Sequence, residues 1–286
     1  METDSATMAA HYRLPFFLRL SAKVLNIVSK SLTTKFLWNI FSGPIKFKPH
    51  ARELGFYETA TMSMINTSSN RNIAIYRIPN DGRKILFVHG WNGRSGQFST
   101  LIDRLSQEGF DITAIDLPGH GKSDSGQTSL PQITDVLTEI AEKLGPFDVL
   151  ITHSFGGVAA LNSIRLGASY DKIVLISLGV YEIRPMFENF VGLFGLNKAY
   201  YADRLFQRVK ITFGVDPTEY GPDRFADKIT TETLLVHCND DAESKSEISV
   251  NVNEKMPHSQ LYLTNNLGHR KLLGDAAVIQ RITDFI

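Results

Sequence analysis

The stretch Phe147-Asp148-Val149-Leu150-Ile151-Thr152-His153-Ser154-Phe155-Gly156-Gly157-Val158-Ala159-Ala160 carries an apolar run of strand length into a run of small residues suited to a close-packed helix. Ser154 stands at the joint. A strand-to-helix turn this tight forces its central residue into a strained backbone conformation and lifts that side chain above the edge of a sheet. Small residues two before and two after the serine keep the two arms from colliding, and here they are Thr152 and Gly156. The pattern is G-x-S-x-G with threonine in place of the first glycine. A serine capping an ordinary helix would give part of the same pattern, so the flanking chain has to decide.

Upstream, Lys84-Ile85-Leu86-Phe87-Val88 is a continuous apolar run, as a strand covered on both faces requires, and it ends in His89-Gly90-Trp91-Asn92-Gly93. A helix is predicted over residues 96–107. Residues 111–115 read as the next strand, followed by Asp116-Leu117-Pro118-Gly119-His120-Gly121-Lys122-Ser123. Ser129 suits an N-cap and Pro131 the first turn of a helix to about Lys143. Earlier still, residues 56–64 and 72–78 read as strands separated by a polar turn. Downstream of the helix ending near Leu166, strands are predicted at 171–177, 233–237 and 260–264, with helices at 247–255 and at the carboxyl end. Between 179 and 228 the alternation pauses. Phe187, Phe190 and Phe194 fall there at helical spacing, which predicts a helical cap inserted between two strands. Strands alternating with helices imply a mainly parallel sheet covered on both faces.

In such a sheet ligands bind beyond the carboxyl ends of the strands. The residues just after each strand are His89-Gly90-Trp91, Asp116, Ser154, Asp240-Asp241 and His269. A serine, an acid and a histidine thus follow one another along the rim, the order of a nucleophile, an orienting carboxylate and a general base. His269 is selected among the histidines by elimination. His11 and His50 lie outside the sheet pattern, and His258 precedes a strand. His89, His120, His153 and His237 are each embedded in an earlier motif. Both Asp240 and Asp241 follow the strand at 233–237, and position alone does not separate them. The amides of Trp91 and Phe155 are the candidate donors to an oxyanion.

These motifs resemble those of the α/β-hydrolase superfamily, over nearly the whole chain from about residue 56. The carriers are His89-Gly90-Trp91-Asn92-Gly93, the Asp116–Ser123 segment, the turn at Ser154 and Gly268-His269-Arg270. The resemblance is strongest to small carboxylesterases and lysophospholipase-like hydrolases of bacterial type. It implies Asp241 as the acid, because the family's strand-His-Gly-x-x-Asp maps onto His237-Cys238-Asn239-Asp240-Asp241. Thr152 and Cys238 depart from the pattern by replacing family glycines. The implied organisation is an N-terminal helical extension at 1–55, a hydrolase core at 56–178 and 231–286, and a cap at 179–230. The implied activity is ester hydrolysis through Ser154, Asp241 and His269 with an acyl-enzyme intermediate. The substrate would be a small ester with an apolar acyl or alcohol group lined by Phe187, Phe190 and Phe194, with no metal or cofactor. An acyltransferase or thioesterase would use the same residues, and a ligand-binding protein could keep the pocket with little turnover.

Composition agrees with one large α/β domain carrying a cap: 286 residues, 43% of them hydrophobic. Thirty basic residues balance 30 acidic ones, which argues against a nucleic-acid binder. A single cysteine, Cys238, leaves no disulfide framework, and with no signal-like or bilayer-length apolar run it points to the cytoplasm. Residues 1–50 stand apart. No acid occurs between Asp4 and Glu53, while Arg19, Lys23 and Lys30 fall opposite the apolar positions Leu14, Phe17, Leu18, Val24, Leu25, Val28 and Leu32. One amphipathic helix is predicted, either packed on the domain or lying on a membrane surface. Packing on the domain is the expected arrangement.

Overall fold

The computed structural model describes residues 14–286. His11 lies outside them. Among the described residues two helices come first, α1 (Phe16–Val28) and α2 (Lys30–Phe41), followed by the short α3 (Leu54–Thr59). The core then runs β1 (Thr61–Asn66), β2 (Asn72–Ile78), β3 (Lys84–Val88), α4 (Ser99–Gln107), β4 (Asp111–Ile115), α5 (Leu130–Leu144), β5 (Val149–His153), α6 (Phe155–Arg165) and β6 (Lys172–Ile176). The insertion holds α7 (Ile183–Gly192), α8 (Lys198–Phe213) and three 3-10 turns, and no strand. The chain closes with β7 (Glu232–Cys238), α9 (Glu247–Lys255), β8 (Ser259–Thr264) and α10 (Ala276–Phe285).

Among the described residues eight strands form one sheet, in the order β1-β2-β4-β3-β5-β6-β7-β8. β1 and β2 pair antiparallel, as do β2 and β4, and every later pair is parallel. Side chains alternate across the sheet, so β3 sends Leu86 and Val88 into one buried cluster and Ile85 and Phe87 into the other. The first cluster gathers α5, α6 and the insertion. The second gathers Phe56, α4 and α10.

Two local expectations need correction. The strand predicted for residues 56–64 begins only at Thr61, because residues 54–59 are helical. Helical geometry buries Phe56 to 1% exposure and sets its ring against Tyr57 and Tyr76 at 5.1 and 5.5 Å. Local β-propensity loses to this packing. The single amino-terminal helix is also two. Ser29 has extended backbone (φ −160°, ψ 123°), and its hydroxyl accepts the Leu32 amide at 3.3 Å as an N-cap of α2.

The two helices pack differently. α2 buries Thr33, Thr34, Leu37 and Trp38, and its Phe41 ring stacks on Phe187 at 4.7 Å. Tyr201 donates to Asn26 and Arg204 donates to Thr34, at 2.5 and 2.7 Å, so both helices are joined to α8. α1 buries only Ala22, with Leu14 and Leu18 partly covered against the core. The apolar stripe expected to face the domain instead points largely to solvent.

Candidate active site

Ser154 sits between β5 and α6 with φ 53° and ψ −123°, a backbone region that non-glycine residues rarely occupy. Its amide donates to the Ile176 carbonyl of β6 at 2.9 Å, which holds the strained turn to the sheet. A Cβ on Gly156 would lie 2.3 Å from the His89 carbonyl oxygen, and one on Gly90 would lie 2.8 Å from the Ser154 Cβ. Glycine at both places lets the β3 loop and the β5 turn touch. Thr152 fits in place of the usual small glycine because its hydroxyl donates across to the Val174 carbonyl at 3.2 Å.

Asp241 and His269 come together from the loops after β7 and β8. Oδ2 of Asp241 lies 2.7 Å from Nδ1 of His269. An ionised carboxylate only accepts, so Nδ1 carries a proton, and in the neutral imidazole that tautomer leaves Nε2 as the acceptor. The other carboxylate oxygen accepts the amides of Glu243 and Ser244 at 2.9 and 2.8 Å. Burial alone would raise the Asp241 pKa. Hydrogen bonds from His237, His269 and the Ser244 amide outweigh it and hold the carboxyl well below the ordinary range.

His153, the residue before Ser154, donates from Nε2 to the His269 carbonyl at 2.9 Å, and the two rings are 4.7 Å apart. The histidine loop is therefore tied to the backbone of the serine turn. Burial, followed by the neighbouring His269, lowers the His153 pKa to about 3 and keeps its imidazole neutral.

Asp240 does not reach His269. Its carboxylate accepts the Asn266 amide at 2.6 Å and so braces the β8 loop. Cys238 has a similar task, because its sulfur accepts the amides of Leu267 and Gly268 at 3.3 and 3.2 Å. A glycine there would offer no such acceptor. His237, embedded in the same motif as the acid, braces it. Its Nε2 lies 3.3 Å from Asp241 Oδ2 and donates to the Ser244 carbonyl at 2.9 Å, while Nδ1 accepts the Ser249 hydroxyl. The strand-His-Gly-x-x-Asp pattern, which sets His237 and Asp241 at i, i+4, is the sequence signal for this contact.

The Asp116–Ser123 segment is a scaffold. Asp116 accepts the Ser95 amide and hydroxyl at 2.8 Å and the Lys122 amide at 2.8 Å. His89 accepts the Leu117 amide and His120 accepts the Asn92 amide, both at 3.0 Å. These bonds fix the loop that carries Trp91. The Trp91 ring meets Phe155 edge-on at 5.6 Å, and among the described residues no acceptor is bonded to either residue's amide.

The cap phenylalanines face α2. Phe187 and Phe194 are buried, and Phe190 is partly so. Phe187 packs between Phe41 and Phe206, Phe190 against Phe41, and Phe194 against Phe36. Two surface clefts of about 360 and 320 Å³ lie elsewhere, around Glu139 and around Asn26, and neither is lined by Ser154 or His269.

Residues 85–273, spanning β3 through the loop after His269, match the model of the alpha/beta hydrolase family. The chain belongs to that family. It is 32% identical over 120 residues to a serine hydrolase-like protein of Danio rerio, covering 39% of this chain and 36% of that one. It is 32% identical over 99 residues to a pimeloyl-[acyl-carrier protein] methyl ester esterase of Nitrosomonas europaea, covering 34% and 38%. The chain thus spans little more than a third of the length of these curated relatives. Among solved structures, an esterase from Exiguobacterium antarcticum superposes with a TM-score of 0.62 at 18% identity, covering 79% of this chain and 99% of that one. A thermophilic esterase from Thermogutta terrifontis gives 0.60 at 18% identity, covering 79% and 97%. At such identities the likeness shows the alpha/beta hydrolase fold, and the chemistry has to be argued from the site.

Proposed function

We propose that this alpha/beta hydrolase is a serine esterase acting on carboxylic esters through Ser154, Asp241 and His269. The observation that carries the proposal is the 2.7 Å bond between His269 Nδ1 and Asp241, on a loop that His153 ties to the turn of the positive-φ Ser154. His269 Nε2 takes the Ser154 proton as Oγ bonds to the acyl carbon. The carbonyl oxygen becomes an oxyanion held by the Trp91 and Phe155 amides. Its collapse breaks the ester bond, and His269 returns the proton to the departing alkoxide. Water then attacks the acyl-enzyme by the same route in reverse and releases the acid. Asp241 stays ionised throughout and stabilises the imidazolium. Apolar neighbours such as Trp91 and Phe155 favour a substrate with an apolar acyl or alcohol group.

A panel of p-nitrophenyl esters of increasing chain length, run beside a fluorophosphonate probe, tests the proposal. Turnover of at least one ester and covalent labelling at Ser154 are expected. A chain that neither labels nor turns over any ester would overturn it.

A further inference from the structure

α1 is amphipathic in the opposite sense from an ordinary surface helix. Phe16, Phe17, Leu20, Val24, Ile27 and Val28 are 76, 64, 49, 50, 85 and 71% exposed. At about 100° per residue these six share an arc of roughly 120°, while Leu18 and Ala22, which touch the protein, lie on the far side. Together they form one apolar face, unlike the singly scattered hydrophobic residues normal on a soluble surface. Exposed Arg19 and Lys23 border this arc along one edge. Exposed Lys30 and Lys35 follow on α2. From residue 5 to residue 52 there are eight basic residues and no acid.

A second copy of the chain would cover the apolar arc, but a two-fold contact pairs identical patches and this patch holds no acid to meet Arg19 and Lys23. An anionic lipid surface satisfies both features. Apolar side chains enter the acyl boundary, and lysine and arginine stems reach back to the headgroup phosphates. At 13 residues the helix is too short to cross a bilayer, which needs about 20, so it would lie in the plane of the interface.

We propose that α1 docks the protein on an anionic bilayer, with its six outward apolar side chains inserted and Arg19 and Lys23 at the phosphates. The bonds from α8 to Asn26 and Thr34 keep the docked helix attached to the body of the protein.

The test is co-sedimentation of the full chain with vesicles of phosphatidylcholine alone or doped with phosphatidylglycerol, at low and at physiological salt. Gel filtration of the same samples and turnover of a soluble ester accompany it. Binding to the doped vesicles is expected, weaker at higher salt. Ile27→Glu is expected to lower the partition coefficient on the order of tenfold or more without moving the melting temperature or soluble-ester turnover. Arg19→Gln with Lys23→Gln should reduce binding to doped vesicles and leave binding to phosphatidylcholine unchanged. Failure to bind doped vesicles at low salt overturns the proposal, as does an Ile27→Glu chain that binds like the parent. A dimer that Ile27→Glu splits, with no vesicle binding by either form, would assign the face to a second copy instead.

Discussion

Asp241 Oδ2 lies 2.7 Å from His269 Nδ1, and Asp240, one residue earlier, points its carboxylate at the Asn266 amide. The two neighbours should therefore respond differently to loss of charge. Asp241→Asn is expected to lower esterase turnover by roughly a thousandfold or more, because the imidazole loses its tautomer and its counter-charge. Asp240→Asn retains an acceptor for Asn266 and should stay within a few-fold of the parent. Steady-state kinetics of the two variants on one ester decide the matter, and a reversed order would move the acid to Asp240.

Ser154→Ala should abolish fluorophosphonate labelling and reduce turnover by orders of magnitude. Alanine at φ 53° keeps the same backbone strain, so the melting temperature should change little. Undiminished labelling of the alanine variant would place the nucleophile at another serine.

Burial, then neighbouring His89, lowers the His120 pKa to about 3, and burial with His269 does the same to His153. An unfolded histidine titrates near 6.5. Between those values the unfolded chain holds the extra protons. Stability is therefore full above about pH 6.5 and declines as pH falls through the window toward 3. His120→Gln should melt lower at neutral pH, since two loop hydrogen bonds are disturbed, but lose less on acidification. Thermal melts across that range read the slope, and parallel curves for parent and variant would refute the assignment.

Glu53 and Arg94 form a buried two-pronged pair at 2.5 and 2.9 Å, joining the entrance of α3 to the loop after β3. Glu53→Gln should destabilise by about 3–5 kcal/mol, because Arg94 keeps a buried charge without its counter-ion. Combining it with Arg94→Met should recover part of that loss. Urea unfolding of the single and double variants measures both changes, and an additive double variant would contradict the coupling.

Leu37 is fully buried where α2 meets the domain, and Trp38 is 5% exposed. Leu37→Ala is expected to cost about 2–5 kcal/mol. Deleting residues 1–50 removes both side chains and uncovers Phe187 and Phe190, so the truncated chain should melt far lower or be insoluble. A truncated chain with the parent's melting temperature would show that α2 only rests on the surface.

The alternation of apolar runs with small-residue and polar segments determined the parallel sheet, the inserted cap and the rim on which Ser154, Asp241 and His269 stand. Those features rest on local periodicity and on residues close in sequence, such as Thr152, Ser154 and Gly156. Choosing Asp241 over Asp240 needed family spacing, because adjacent carboxylates on one loop differ only in what each meets 26 to 28 residues away. Tertiary contact alone revealed that Cys238 and His237 brace the loops around the acid, and that Glu53 pairs with Arg94. It also decided the fate of two apolar patterns. Helical spacing assigns apolar residues to a face without saying what that face meets. The rings of Phe187, Phe190 and Phe194 meet α2, whereas Phe16, Leu20 and Ile27 meet none of the described residues closely enough to be covered. Periodicity is a property of one helix, and burial is a property of its neighbours.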